Sequence, residues 1–127
     1  MKYLIDSYAW IEYLDGSISG LKVKDILTKN EEVLTLNLSI AEIISRTKRQ
    51  DKNVEGVYNA IVSNSKIINI NAEIAKDAGI LHAEIRKKIK DLGLIDAFVL
   101  LTARRLKTKI ITGDEHFRKL KEAVLIK

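Results

Sequence analysis

The sequence predicts an α/β fold of three layers, with helices packed on both sides of a short-stranded, mainly parallel central sheet. Three observations carry that expectation. Short apolar runs of strand type alternate with longer segments whose apolar residues recur at helical spacing. The strand runs, such as Leu4-Ile5, Val33-Leu34 and Ile110-Ile111, are mostly apolar, as in strands buried on both faces. A chain of 127 residues, 46% hydrophobic and 31% charged, has enough apolar material for one core and enough charge for a well-solvated surface.

The elements follow in order. Lys2-Tyr3-Leu4-Ile5 reads as a strand, stopped by Asp6. Ser7 to Leu14 follows as a helix, with Ala9, Trp10, Tyr13 and Leu14 on one face, and a second helix covers Leu21 to Leu27. Glu32 to Leu36 is a strand containing Val33 and Thr35. Ile40, Ala41, Ile44 and Thr47 predict a helix from about Ser39 to Arg49, and Val54, Val57, Tyr58, Ile61 and Val62 mark the next. Lys66 to Ile70 alternates as a strand. Ala72 to Lys90 reads as one long helix, apolar at Ile74, Ala75, Ala78, Leu81, Ile85 and Ile89. Ala97 to Leu106 is nearly apolar throughout and should be a buried helix. Lys109 to Thr112 is a strand, Glu115 to Leu120 a short helix, and Ala123 to Ile126 the last strand. No linker, repeat or low-complexity stretch interrupts this order, so residues 1–127 read as a single domain.

Composition excludes several classes of function. With no cysteine, a disulfide scaffold, a thiolate zinc site and a cysteine nucleophile are all ruled out. Two histidines, His82 and His116, are too few for a histidine-rich metal site. No apolar run approaches the roughly 20 residues of a membrane span, and Met-Lys-Tyr-Leu-Ile is too short before Asp6 for a signal peptide. The expectation is a soluble, cytoplasmic protein without a membrane partner. Its 22 Lys+Arg against 17 Asp+Glu give a net charge of +5, which favours capture of polyanions.

Four acids stand where a parallel sheet keeps its functional crevice, beyond the carboxyl ends of the strands. Asp6 follows the first strand and Asp114 the strand ending at Thr112, while Glu42 and Asp96 lie near the starts of two helices. Glu42 is embedded in Ile40-Ala41-Glu42-Ile43-Ile44, and Asp96 lies between Leu94-Ile95 and Ala97-Phe98-Val99. A carboxylate in such surroundings must be paired, capped or bound to a cation. Capping explains each acid singly: Ser39 to Glu42 fits an S-x-x-E capping box, and each aspartate suits an N-cap. Convergence of all four would be costly. At an effective dielectric of about 20, two carboxylates about 5 Å apart repel by roughly 3 kcal/mol. Protonation or a divalent cation relieves that repulsion, and oxygen-only ligands select hard ions such as Mg²⁺ or Mn²⁺.

At these residues the sequence resembles the PIN domain family, especially its VapC-type ribonuclease toxins. Leu4-Ile5-Asp6-Ser7 is similar to the family's opening strand, first acid and Ser or Thr. Leu38-Ser39-Ile40-Ala41-Glu42-Ile43 resembles its second acidic motif, and Leu94-Ile95-Asp96-Ala97 its third. Ile110-Ile111-Thr112-Gly113-Asp114-Glu115-His116-Phe117 resembles the fourth, a strand, Thr/Ser-x-Asp and a downstream Phe. The resemblance spans nearly the whole chain in length and element order. It implies a metal-dependent endonuclease acting on RNA, with Asp6, Glu42 and Asp96 as core metal-binding acids and Asp114 completing the quartet. Thr112 and Ser7 would support the site by hydrogen bonding, Mg²⁺ or Mn²⁺ would be the cofactor, and Gly113 would serve only as a turn. It also implies a homodimer and a small antitoxin partner, whose Arg or Lys competes with the metal for the carboxylates.

Other features keep simpler readings beside functional ones. Arg86-Lys87-Lys88-Ile89-Lys90 suits a solvated helix end as well as phosphate contact, and Arg46, Lys48 and Arg49 are candidates to flank an RNA path. Trp10 and Tyr13 read as core rather than as base-stacking groups. His82 lacks a second ligand at useful spacing, and His116 stands close enough to Asp114 to be considered as a general acid. A phosphoryl-signalling receiver needs paired acids at the first strand, and an aspartate phosphatase an acid where Tyr8 stands, so both fit poorly. A housekeeping RNA-processing nuclease, or a non-catalytic RNA-binding or interaction module, remain the alternatives to a toxin.

Overall fold

The computed structural model describes residues 1–127. Its elements are β1 (Lys2–Ile5), α1 (Ser7–Leu14), α2 (Gly20–Thr28), β2 (Glu32–Leu36), α3 (Asn37–Arg49), α4 (Val54–Asn64), β3 (Lys66–Ile68), α5 (Ala72–Ile85), α6 (Leu94–Leu106), β4 (Lys109–Thr112) and β5 (Ala123–Leu125), with a 3-10 turn at Glu115–Phe117. The five strands form one sheet in the order β3-β2-β1-β4-β5, and every neighbouring pair is parallel. Register sets Leu4 beside Leu34 and Ile110, and Ile5 beside Ile111.

Alternation along the strands divides the core in two. Leu4, Leu34, Leu36 and Ile110 meet Val99, Leu100 and Ala103 of α6, with Leu92 and Phe117. Their neighbours Ile5, Val33 and Ile111 meet Ala9 and Trp10 of α1, Val23 of α2, Ile43 of α3 and Ile61 of α4. Successive strand residues point to opposite faces, so each central strand supplies both clusters. This is the expected three-layer α/β/α arrangement.

Chain order moves outward from β1 through β2 to β3, then returns to the other side of β1 with β4. The reversal places the switch point, and its crevice, beyond the carboxyl ends of β1 and β4. That spot was not visible in the order of elements along the chain. Asp6 and Asp114 are the residues that leave it.

Several boundaries differ from expectation for physical reasons. The long helix stops at Ile85 and Arg86 caps it, and the next bonds tighten to three-residue spacing at Lys87–Glu84 and Lys88–Ile85. Continuing would stack Arg86, Lys87 and Lys90 at repelling helical spacings, while the turn still lets Ile85 and Ile89 pack on the core. Helix α3 begins at Asn37 and α6 at Leu94, two and three residues before the expected starts. β3 ends at Ile68, where its only partner β2 ends at Leu36. The last short helix shrinks to one 3-10 turn.

Trp10 and Thr35 tie the layers together. The Trp10 Nε1–H donates to Thr35 Oγ1 at 3.0 Å, Thr35 donates to Ser65 Oγ at 2.7 Å, and Ser65 to the Ile61 carbonyl at 2.7 Å. Trp10 is 0% exposed, which makes it core. No helix is long and apolar enough to cross a membrane.

Candidate active site

Asp6 is the N-cap of α1: its Oδ1 accepts from the Ala9 N–H at 2.9 Å, and its own N–H donates to the Ile111 carbonyl at 3.1 Å. Sheet and helix therefore both hold it, and it is only 5% exposed. Asp114 caps the 3-10 turn after β4, its Oδ1 accepting from the His116 N–H at 2.9 Å. The same oxygen lies 2.8 Å from His116 Nδ1. Asp96 is the third residue of α6, and its Oδ2 accepts from the Gly93 N–H at 2.9 Å, the returning half of a capping box.

Glu42 departs from the local expectation. Because α3 starts at Asn37, Ser39 lies inside its first turn, and the helix has no side-chain cap. The Ser39 hydroxyl and the nearby Asn37 Oδ1 are buried without partners. Glu42 instead accepts from Ser7 Oγ, at 3.0 Å through Oε1, across to the first residue of α1. The capping box is replaced by a tie between two helices.

Thr112 is fully buried beside Asp6 and Asp114. Its Oγ1 accepts from the Asp114 N–H at 3.0 Å, and its hydroxyl hydrogen-bonds the Asp6 carboxyl. One side chain thus joins the acid after β1 to the acid after β4.

The electrostatics follow from burial and crowding. Burial raises the Asp6 carboxyl from 3.8 to about 7, against hydrogen bonds from Thr112 and Ala9 that lower it, while Asp96 and Asp114 add repulsion. Burial also raises Glu42, the Ser7 hydrogen bond opposes the rise, and Asp96 repels it. Asp96 is raised by burial, lowered by the Gly93 N–H, and raised again by Asp114; His116 and His82 act in the lowering direction. These couplings link all four expected acids at the crevice. No lysine or arginine pairs with any of them, and Asp114 pairs only with His116.

The four do not form a finished cage, because no three Asp, Glu or His side chains gather as a ready ligand group. One oxygen of each is already drawn to a donor of the protein, whether Ala9, Ser7, Gly93 or His116. The donor set still suits a hard divalent cation: oxygen-only, acid-rich and without a lysine or arginine counter-ion. The chemistry of the residues fits: Asp6, Glu42, Asp96 and Asp114 would hold such an ion through carboxylate oxygens.

Sequence reasoning passed over two contacts here. His82 Nε2 donates to the Leu92 carbonyl at 3.1 Å, steadying the turn before Asp96, and the Tyr8 ring lies against Gly113. Both join residues distant in sequence, and no local pattern announces either one. The basic run at Arg86–Lys90 caps and follows α5 on the surface. Arg46 pairs with Asp15 at 3.2 Å.

Comparison with known proteins agrees with the fold. No curated protein matches in sequence. Among solved structures, a toxin–antitoxin complex from Klebsiella pneumoniae is 21% identical, covers 98% of each chain and superposes with a TM-score of 0.74. The VapBC2 complex of Rickettsia felis, bound to a DNA fragment from its promoter, is 19% identical over 98% of this chain and 97% of that one, with TM-score 0.74. Mycobacterium tuberculosis VapC20, described as a toxin cleaving the sarcin-ricin loop, is 14% identical over 94% and 95%, with TM-score 0.75. At such identities the likeness establishes the fold. The model of the PIN domain matches residues 3–123, nearly the whole length, and the chain belongs to the PIN domain family.

Proposed function

We propose that this chain is a metal-dependent endoribonuclease, the toxin of a VapBC-type pair, with Asp6, Glu42, Asp96 and Asp114 as its acidic centre. The observation that carries the reading is Asp6. A carboxylate only 5% exposed faces two further acids at the sheet's switch point, with no basic side chain to neutralise it. Such an arrangement costs stability and has no structural benefit that a neutral cap would not supply equally well.

The four acids would hold Mg²⁺ or Mn²⁺, which when bound activates a water and neutralises charge developing on a phosphodiester. The chain's own residues position the centre. Asp6 is fixed by the Ala9 N–H and the β4 backbone, Ser7 turns Glu42 toward the cleft, and Thr112 spans from Asp6 to the Asp114 segment. The net charge of +5 favours approach of RNA. Likeness to a toxin–antitoxin complex, and to a toxin described as cleaving the sarcin-ricin loop, supports RNA as substrate and a small antitoxin as partner. A homodimer is part of the same proposal, as is a place in the cytoplasm.

The test is cleavage of a labelled structured RNA by the wild-type protein and Asp6→Asn, with Mg²⁺ or Mn²⁺ and with EDTA. Cleavage that needs the metal and is lost in Asp6→Asn is expected. Equal cleavage by both proteins overturns the assigned centre. Silencing by a small protein encoded beside this one separates the toxin from a housekeeping nuclease.

A further inference from the structure

Thr112, Gly113 and Asp114 carry one wall of the crevice, and the middle residue is a glycine for a reason that its backbone does not supply. Gly16 is the only glycine with positive φ, so Gly113 adopts a conformation open to any residue. What excludes a side chain there is Tyr8. A Cβ at position 113 would lie 2.6 Å from Tyr8 Cδ1, 3.3 Å from Cζ and closer still to Cε1. The two shorter approaches lie below any real carbon contact, so ring and segment are fitted edge to backbone.

The ring is itself anchored. Tyr8 is the second residue of α1, two after Asp6 and one after Ser7. Its hydroxyl accepts from Lys127 Nζ, which also lies 3.2 Å from Glu12 Oε1. The backbone beside Lys127 grips the same wall, because the Ile126 N–H donates to the Thr112 carbonyl at 2.9 Å. Thr112 and Asp114 are thus held from two sides, by the Tyr8 ring from α1 and by the chain after β5.

We propose that Tyr8 is a positioning residue of the acidic site: its ring, seated on Gly113, sets the distance between Asp114 and the start of α1 that carries Asp6. Its relevance to metal binding rests on the function proposed above; its control of the segment does not. Tyr8 touches neither substrate nor ion in this role. It acts through Gly113, and Gly113 does more than turn the chain.

The test combines two readouts on the full chain. Native-state hydrogen exchange follows the Asp114 and His116 amides, which bond Thr112 Oγ1 and Asp114 Oδ1, with the Ala97 amide of α6 as reference. Calorimetric titration with Mn²⁺ alone follows affinity. Tyr8→Ala should speed exchange at Asp114 and His116 about tenfold over wild type and leave Ala97 unchanged. It should also weaken Mn²⁺ binding about tenfold, the order found when supporting contacts around metal ligands are removed. Tyr8→Phe, which keeps the ring, should stay within about twofold on both. Gly113→Ala should resemble Tyr8→Ala, and the double variant should be no worse than either single one, since the missing ring makes room for the methyl group. Unchanged exchange in Tyr8→Ala overturns the proposal, as do additive losses in the double variant. Should Tyr8→Ala not fold, Tyr8→Leu and Gly113→Ala carry the same comparison. A wild-type protein that binds no Mn²⁺ refutes the metal reading, and the exchange rates then decide on Tyr8 by themselves.

Discussion

Replacing Asp6 by Asn should make the metal-free protein more stable, and the size of the gain should depend on pH in one direction. The Asp6 carboxyl is raised from 3.8 to about 7, chiefly by burial. At about 1.4 kcal/mol for each factor of ten in proton affinity, the buried charge costs roughly 4 kcal/mol when fully ionised. The sign follows from linkage. A carboxyl that binds its proton more tightly when folded adds stability that is complete below pH 4 and lost as pH rises through about 7. Asn keeps the size and serves equally as an N-cap for Ala9, but carries no charge. In chelator, urea unfolding at pH 8 should place Asp6→Asn about 4 kcal/mol above wild type, a midpoint shift of roughly 2 M. The advantage should fall to roughly 1.7 kcal/mol by pH 5 and vanish by about pH 3. A variant no more stable than wild type at pH 8 refutes the idea of an uncompensated buried charge. A gain that does not vary with pH traces the effect to packing.

Three further outcomes follow from the same contacts. Mn²⁺ at about a hundred times its dissociation constant should stabilise the wild-type protein by roughly 2.7 kcal/mol in thermal unfolding, and Asp6→Asn far less. Ser7→Ala removes the 3.0 Å bond to Glu42 at an exposed position, so stability should change by less than about 1 kcal/mol while metal-dependent RNA cleavage falls. Trp10→Phe breaks the bond to Thr35 in the core and should lower urea stability by about 1–3 kcal/mol. An unchanged midpoint would remove that bond from the account.

The fold was legible where local pattern and burial agree. Leu4-Ile5 and Ile110-Ile111 announce two-faced strands because each residue of the pair feeds a different core cluster. Strand order was not legible, since pairing β1 with β4 is a long-range choice made by packing. Local patterns also misled. Ser39 to Glu42 matches a capping box, yet the helix starts earlier and Glu42 turns to Ser7, thirty-five residues away in sequence. Ile85 and Ile89 keep helical spacing through a turn because both still reach the core. All four acids could be placed at one edge from their positions after strands or near helix starts. The contacts that tune them, Ser7 with Glu42, Thr112 with Asp6 and Tyr8 with Gly113, cross between elements and leave no local trace.

Capping and metal binding are alternatives only if one carboxylate cannot do both. In Glu42, Asp96 and Asp114 one oxygen bonds a donor within the protein, and the other has no hydrogen-bond partner there. The N–H groups at the starts of α1 and α6 also offset part of the charge of Asp6 and Asp96 before any ion arrives. The caps therefore let the chain fold around acids that repel one another. Asp96 separates the two roles. Asp96→Asn retains an acceptor for the Gly93 N–H but lacks the charge, so urea stability should match or exceed that of wild type while stabilisation by Mn²⁺ is largely lost. Asp96→Ala loses both and should fall about 1 kcal/mol below Asp96→Asn in chelator. Equal stability of the two variants would mean that the Gly93 bond does not hold α6 in place. Undiminished stabilisation of Asp96→Asn by Mn²⁺ would mean that Asp96 caps and nothing more.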